Sequence, residues 1–175
     1  MKININYQLP ESTTKEVLEA NKKICSVTNC DIVFSSGTCR PHITLVSGDI
    51  EEKDLETVKK IVANFSPTAI NTTISFETPF IAGAYIMCNA AEKKHFETDC
   101  KNLLTALGGL VKTGKHLIAN GTAAPHITLG WAQNAQNADF LLKHIKFSDT
   151  KLQKLEVSLG GPHGTVLVLS EINEK

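Results

Sequence analysis

The sequence predicts an α+β chain, bilobal and internally duplicated, with antiparallel sheets, and three observations point there. Residues 41–45 read Pro41-His42-Ile43-Thr44-Leu45 and residues 125–129 read Pro125-His126-Ile127-Thr128-Leu129, so one pentapeptide occurs twice in 175 residues. Self-similarity of this kind marks a repeated structural unit. The order strand, helix, motif strand, helix, hairpin can be laid on the chain twice. Hydrophobic spacing also alternates between two, the period of half-buried strands, and 3.6, the period of helices. No linker is long enough to separate independent domains, and this length suits one domain or two small lobes sharing a core. Residues 1–175 are therefore read as a single bilobal domain with the motif strands in the middle.

The elements follow in order. Residues 3–9 alternate as a strand that Pro10 ends. Ser12, Thr13 or Thr14 can cap a helix that has Glu16 in its first turn and runs to about Ile24 on Val17, Leu18 and Ile24. Asp31-Ile32-Val33-Phe34 is expected as a short strand before Ser35-Ser36-Gly37. The first motif strand covers 41–47 and closes at Gly48-Asp49. A helix over 52–64 follows from Leu55, Val58, Ile61 and Val62 at helical spacing. Residues 69–78 and 84–89 read as a hairpin joined through Pro79–Gly83.

In the second half, Phe96, Cys100, Leu103, Leu104 and Leu107 make one stripe on a helix over 92–107. Gly108-Gly109 stops it. Residues 110–124 read as loop and 125–131 as the second motif strand. Asn137 is expected to cap a helix with Ala138, Leu141, Leu142 and Ile145 on its face. A strand over 151–159, the turn Gly160–Gly164 and a last strand over 165–170 complete the chain.

Composition narrows the function. Apolar residues make up 42% and charged residues 21%, the balance of an ordinary globular protein. Lys plus Arg equals Asp plus Glu at 18 each, which gives no argument for a basic nucleic-acid coat or a membrane-surface binder. The N-terminus alternates and lacks the apolar core of a signal peptide, and no apolar run is long enough to span a bilayer. The five cysteines (Cys25, Cys30, Cys39, Cys88, Cys100) are odd in number and hold no Cys-x-x-Cys pair. They are read as free thiols of a reducing, cytoplasmic setting, with a Cys25–Cys30 bridge as the oxidised alternative.

The repeated phrase carries the chemistry. Residues two apart on a strand project to one face. His42 with Thr44, and His126 with Thr128, therefore share faces, while Ile43, Leu45, Ile127 and Leu129 turn to the core. Two such strands across a cleft supply two imidazoles and two hydroxyls. Histidine has an unperturbed pKa of about 6.5, so one ring can take a proton while the other gives one. The hydroxyls can bind the non-bridging oxygens on which charge develops. That set suffices to break a phosphodiester without a metal.

Two His-x-Thr-hydrophobic motifs half a chain apart resemble the two-histidine phosphoesterase superfamily, which includes 2′,3′-cyclic phosphodiesterases and 2′-5′ RNA ligase-like proteins. The resemblance in layout covers almost the whole chain. It implies the bilobal two-histidine phosphoesterase architecture and a hydrolase needing no cofactor and no metal. It also implies a nucleotide or RNA-end substrate, a role in RNA processing, a monomer and no membrane partner. His42, His126, Thr44 and Thr128 become the catalytic residues expected. A binding module for a cyclic or 2′-5′-linked nucleotide is the alternative.

Arg40 and Trp131 are candidate substrate-binding residues. Arg40 is the single arginine and sits two before His42, where alternation puts it on the same face. A solvated strand-mouth arginine is the other reading, and its counterpart in the second copy is Ala124. Trp131, the single tryptophan, lies where some relatives carry an aromatic or an arginine, and aromatic rings stack bases. Strict alternation would bury it opposite His126, unless Gly130 bulges. His163 reads as an exposed turn histidine, His95 and His144 as solvated helix residues, and His116 as a loop residue. No metal-ligand spacing appears among them.

Overall fold

The computed structural model describes residues 1–34, 39–115 and 117–168. His116, Ser35-Ser36-Gly37 and the end of the last expected strand lie outside the described residues. In chain order the elements are β1 (Lys2–Gln8), α1 (Glu11–Cys25), β2 (His42–Asp49), α2 (Leu55–Asn64), β3 (Thr73–Ile74), β4 (Phe80–Ala82) and β5 (Tyr85–Asn89). Then come α3 (Lys94–Leu107), β6 (Lys112–Thr113), β7 (His126–Trp131), α4 (Asp139–Leu142), β8 (Thr150–Lys151), β9 (Leu155–Gly160) and β10 (Val166–Val168). The architecture is α+β, and every strand pairing is antiparallel.

Two sheets carry the two motifs. One has the order β10-β9-β1-β2-β6, the other β4-β5-β7, and β3 pairs with β8 in a separate two-stranded sheet. The halves are interlocked. β4 follows α2 in the first half yet pairs with β5 of the second; β9 follows α4 in the second half yet pairs with β1 of the first. Helices cross over as well: α1 packs on β7, and α3 packs on β2. One apolar core runs through both, with Ile3, Ile5, Tyr7, Ile43, Phe96, Leu103 and Ile127 fully enclosed. Tyr7 and Phe96 meet edge to face with centroids 5.6 Å apart.

The motif strands repeat one another in detail. His42 lies opposite Gln8 and Thr44 opposite Asn6, then the register slips so that Val46 faces Ile5. His126 lies opposite Asn89 and Thr128 opposite Met87, then the register slips so that Gly130 faces Ile86. Leu45 and Leu129 are thus the extra residues of two equivalent β-bulges. A bulge breaks the ladder locally, and buried backbone groups need partners. Here the partners come from the crossed-over helices: Asn21 Nδ2–H of α1 donates to the Leu129 carbonyl at 2.8 Å, and Cys100 Sγ of α3 lies 3.3 Å from the Leu45 carbonyl.

Several expected boundaries move. Residues 69–78 are mostly not strand: Ala69–Asn71 form a 3-10 turn, and only Thr73–Ile74 pair as β3. The cause is Asp99 on α3, a fully buried carboxylate. It accepts bonds from the Thr68 amide and hydroxyl at 2.8 Å and from the Ala69 amide at 2.9 Å, anchoring the start of that turn. Tyr7 Oη–H donates to the same carboxylate at 2.6 Å, and burial raises the Tyr7 pKa.

The expected turn over Pro79–Gly83 is largely strand β4. The chain reverses instead at Gly83-Ala84, between the paired Ala82 and Tyr85. Gly83 has φ 62°, the left-handed value that a two-residue hairpin wants at its first central position. Residues 31–34 form no strand; Cys30 alone bridges to Ala132. The helix expected from 138 is a 3-10 turn, Ala135–Ala138, continued by the one-turn α4, and Asn137 caps nothing with its side chain. α1 begins directly after Pro10 without a side-chain cap, because Thr13 is buried and its hydroxyl bonds to Thr150 at 2.7 Å. The single strand expected over 151–159 divides into β8 and β9.

Candidate active site

Both motif histidines are held in the same way. His42 Nδ1 lies 2.9 Å from the carbonyl of Arg40, and His126 Nδ1 lies 2.8 Å from the carbonyl of Ala124. A carbonyl only accepts, so each bond places the proton on Nδ1 and leaves Nε2 as the ring's free basic atom. The Pro that precedes each histidine has no amide hydrogen of its own, and the upstream carbonyl is used by the ring instead. The two rings line one cavity of about 690 Å³ together with Thr44 and Thr128. Such a volume lies within the range of small-ligand sites, about 300–1,000 Å³.

Register explains why these side chains converge. Directly opposed residues share a face, as do residues two apart on a regular strand. Tyr85, Met87 and Asn89 on β5 therefore set the face for their partners Trp131, Thr128 and His126 on β7. The bulge at Leu129 returns Trp131 to the histidine side, which strict alternation from His126 would not do. Residues Leu129 and Gly130 are both buried, and Trp131 is half-exposed. The slip is therefore at Leu129, with Gly130 completing it.

The two walls differ. On the β1–β2 wall the Thr44 hydroxyl is gripped by Asn4, whose Nδ2–H donates to Thr44 Oγ1 at 2.9 Å. Behind it the fully buried Asn6 donates to Ser158 Oγ at 3.1 Å. On the β5–β7 wall, Thr128 faces the cavity beside Tyr85 and Met87, and its hydroxyl has no protein partner among the described residues. One wall is amide-rich and the other aromatic and apolar.

Burial acts on the charge of His42. The pKa of His42 is lowered to about 4, first by burial and to a lesser extent by the charge of His126, against the opposing pull of the Arg40 carbonyl. His42 is consequently neutral at neutral pH. Cys39 lines a small side cavity with His42, Thr128 and His163, but burial pushes its thiol up to about 11, which removes it as a nucleophile.

The other expected residues fall variously. Arg40 is exposed and lines an adjoining groove with Gln8, Glu11 and Glu156 rather than the main cavity. Trp131 is edge-on to Tyr85 and stacked on His163, with ring centroids 4.0 Å apart and 24° between planes in the second contact. His163 itself lines the cavity beside both motif histidines. It is a turn residue, as expected, but nothing in the sequence Gly160–Gly164 says which way that turn folds. His95 and His144 line no part of the cavity, and no group of three or more His, Cys, Asp or Glu suited to a metal occurs among the described residues.

The thiol reading needs correction. Cys25 and Cys30 form a disulfide, with Cα atoms 5.2 Å apart, while Cys39, Cys88 and Cys100 are free and buried. The turn that ends α1 brings Cys30 back over Cys25, within ordinary bridging distance. No helix among the described residues is long and apolar enough to cross a membrane.

Comparison with known structures agrees with this architecture. The crystal structure of the MHV ns2 PDE domain matches with a TM-score of 0.62, covering 91% of this chain and 99% of that one at 15% identity. The chain thus shares the α+β antiparallel fold of that PDE domain. No family model and no curated protein matches it in sequence.

Proposed function

We propose that this protein is a metal-independent phosphodiesterase acting on a nucleotide or RNA-end phosphodiester, with a 2′,3′-cyclic phosphate as its substrate. The observation that carries the reading is the matched pair of imidazoles, each with Nδ1 tied to a backbone carbonyl, lining one cavity with two threonines. The structural similarity to the MHV ns2 PDE domain supports it.

In this reaction His42 Nε2 takes a proton from water as the water oxygen bonds to phosphorus. The bond from phosphorus to one ribose oxygen breaks, and that oxygen takes the proton carried on His126 Nε2. A nucleoside monophosphate results, and proton exchange with solvent restores the starting forms. Burial that keeps His42 neutral suits it to the base role. Thr44 and Thr128 donate to the non-bridging oxygens; Asn4 Nδ2 donates to Thr44 Oγ1, and the Thr44 hydroxyl, which donates to Asn4 Oδ1 at 3.3 Å, turns to the phosphate when substrate binds. The test is hydrolysis of a panel of cyclic phosphates and 2′-5′ and 3′-5′ oligonucleotides in excess chelator, with products read by mass spectrometry. Tight binding without turnover across the panel would mark a nucleotide-binding module instead.

A further inference from the structure

We propose that the Cys25–Cys30 disulfide is a redox switch on the cleft. Oxidised, it fixes the segment 26–34, which walls His42 and Thr128; reduction by a dithiol frees that segment and lowers turnover. This rests on the phosphodiester reading above and adds to it a control of that site.

Three placements carry the proposal. The bridge ties the last residue of α1 to Cys30, which pairs with Ala132 just past the second motif strand. A few residues on, Ile32 and Phe34 line the small side cavity together with His42 and Thr128. Second, Cys30 Sγ rests on the bulge that aims the second motif: a Cβ at Gly130 would lie 3.7 Å from this sulfur and 3.8 Å from Asn21 Nδ2. Asn21, one turn before Cys25 on α1, donates to the Leu129 and Ile32 carbonyls at 2.8 and 3.0 Å and accepts from the Phe34 amide at 3.0 Å. One helix end thus holds the bulge and the cavity wall together, and the disulfide is its covalent tie. Third, the tie is within reach of a reductant. Cys25 and Cys30 are half-buried beside exposed Ser26 and Asn29, whereas Cys39, Cys88 and Cys100 are buried. With the bridge cut, the segment keeps single hydrogen bonds such as Asp31 N–H to the Trp131 carbonyl at 2.8 Å and Asn29 N–H to Asn134 Oδ1 at 3.1 Å. Exposed segments held in this way open first. In the step itself, a thiolate of the dithiol bonds to one protein sulfur and the Cys25–Cys30 bond breaks. The reductant's second sulfur then bonds to its first and releases the protein. The dithiol gives up two electrons and two protons and leaves as a disulfide; Cys25 and Cys30 become thiols.

The experiment compares oxidised wild type, wild type reduced with dithiothreitol, and the variant Cys25→Ser with Cys30→Ser. It reads kcat/KM on cytidine 2′,3′-cyclic phosphate and residue-resolved amide hydrogen exchange, with the thiol state checked by alkylation and mass spectrometry. Reduction should lower kcat/KM about 10- to 100-fold, the scale of loss when catalytic groups shift slightly, and reoxidation should restore it. The variant should match the reduced protein and ignore dithiothreitol. Exchange at the Asp31 and Phe34 amides and along β7 should quicken on reduction. An unchanged kcat/KM in protein whose Cys25 and Cys30 are both free thiols overturns the proposal, as does an equal further loss when dithiothreitol is added to the variant. Should the variant fold poorly, the reduced and reoxidised wild type decide alone. If oxidised protein hydrolyses no cyclic phosphate, the phosphodiesterase reading falls and exchange along β7 decides the switch: faster exchange on reduction upholds it, and no change overturns it.

Discussion

At the scale of the residue, two histidines share one geometry, each with Nδ1 bonded to the carbonyl two residues before it. His42 sits deep enough that its pKa drops to about 4, which sets a pH dependence. As the base it works only while neutral, so the acid limb of kcat/KM should fall as pH drops through about 4, not through the ordinary value of about 6.5. A pH–rate profile checks this, and a limb near 6.5 would give the base role to another group. The threonines differ too. Asn4 holds Thr44, while Thr128 has no such clamp. Thr44→Val and Thr128→Val should each lower kcat about 10- to 1,000-fold through lost stabilisation of developing charge, with smaller effects on substrate binding. Asn4→Leu should lower kcat in the wild type yet change little in the Thr44→Val background, because its effect passes through that hydroxyl.

At the scale of the element, the paired bulges are what aim the site. Periodicity in the sequence was enough to find β1, α1, both motif strands, α2 and α3, because each buries a regular apolar stripe against one core. It could not find the register slips at Leu45 and Leu129, since a bulge is decided by the partner strand and by distant helix side chains. Trp131 was ambiguous in sequence for that reason. The 3-10 turn at Ala69–Asn71 escaped prediction likewise, because Asp99, some thirty residues on, dictates it. Replacing Asn21 by Leu should leave the Leu129 carbonyl and the Phe34 amide without their partner and cost about 1–3 kcal/mol. Denaturant unfolding measures it. A loss near zero would mean the bulge holds without α1.

At the scale of the molecule, the first half lends β4 and α1 to the second half's sheet, and the second lends β6, β9, β10 and α3 to the first's. Residues 1–78 alone would lack β9 beside β1 and α3 over β2, so that fragment should show no cooperative unfolding transition, whereas the whole chain should unfold in one. The lowered pKa of His42 also acts on the whole fold. The unfolded chain takes up this proton near pH 6.5 and the folded chain only near 4, so unfolded protein binds more protons between those values. Stability should therefore fall as pH drops from about 6.5 to 4 and stop responding to this group below that. His42→Gln should remove that share of the decline in a series of melting temperatures. Both motifs, and the fold class they imply, were legible because duplication wrote the same words twice; the third histidine was not, because His163 reaches the cleft only through the packing of its turn on Trp131.

The central claim is that the two motifs act on one phosphorus as acid and base. Hydrolysis of a nucleoside 2′,3′-cyclic phosphate in excess chelator, by the wild type, His42→Ala, His126→Ala and the double variant, tests it most directly. The wild type should retain full turnover with the metal removed. Each single change should cost about 10²–10⁴-fold in kcat, and the double change should cost far less than the product of the two. Near-full turnover by His126→Ala, or activity that disappears with the chelator and returns with a divalent ion, would contradict the account.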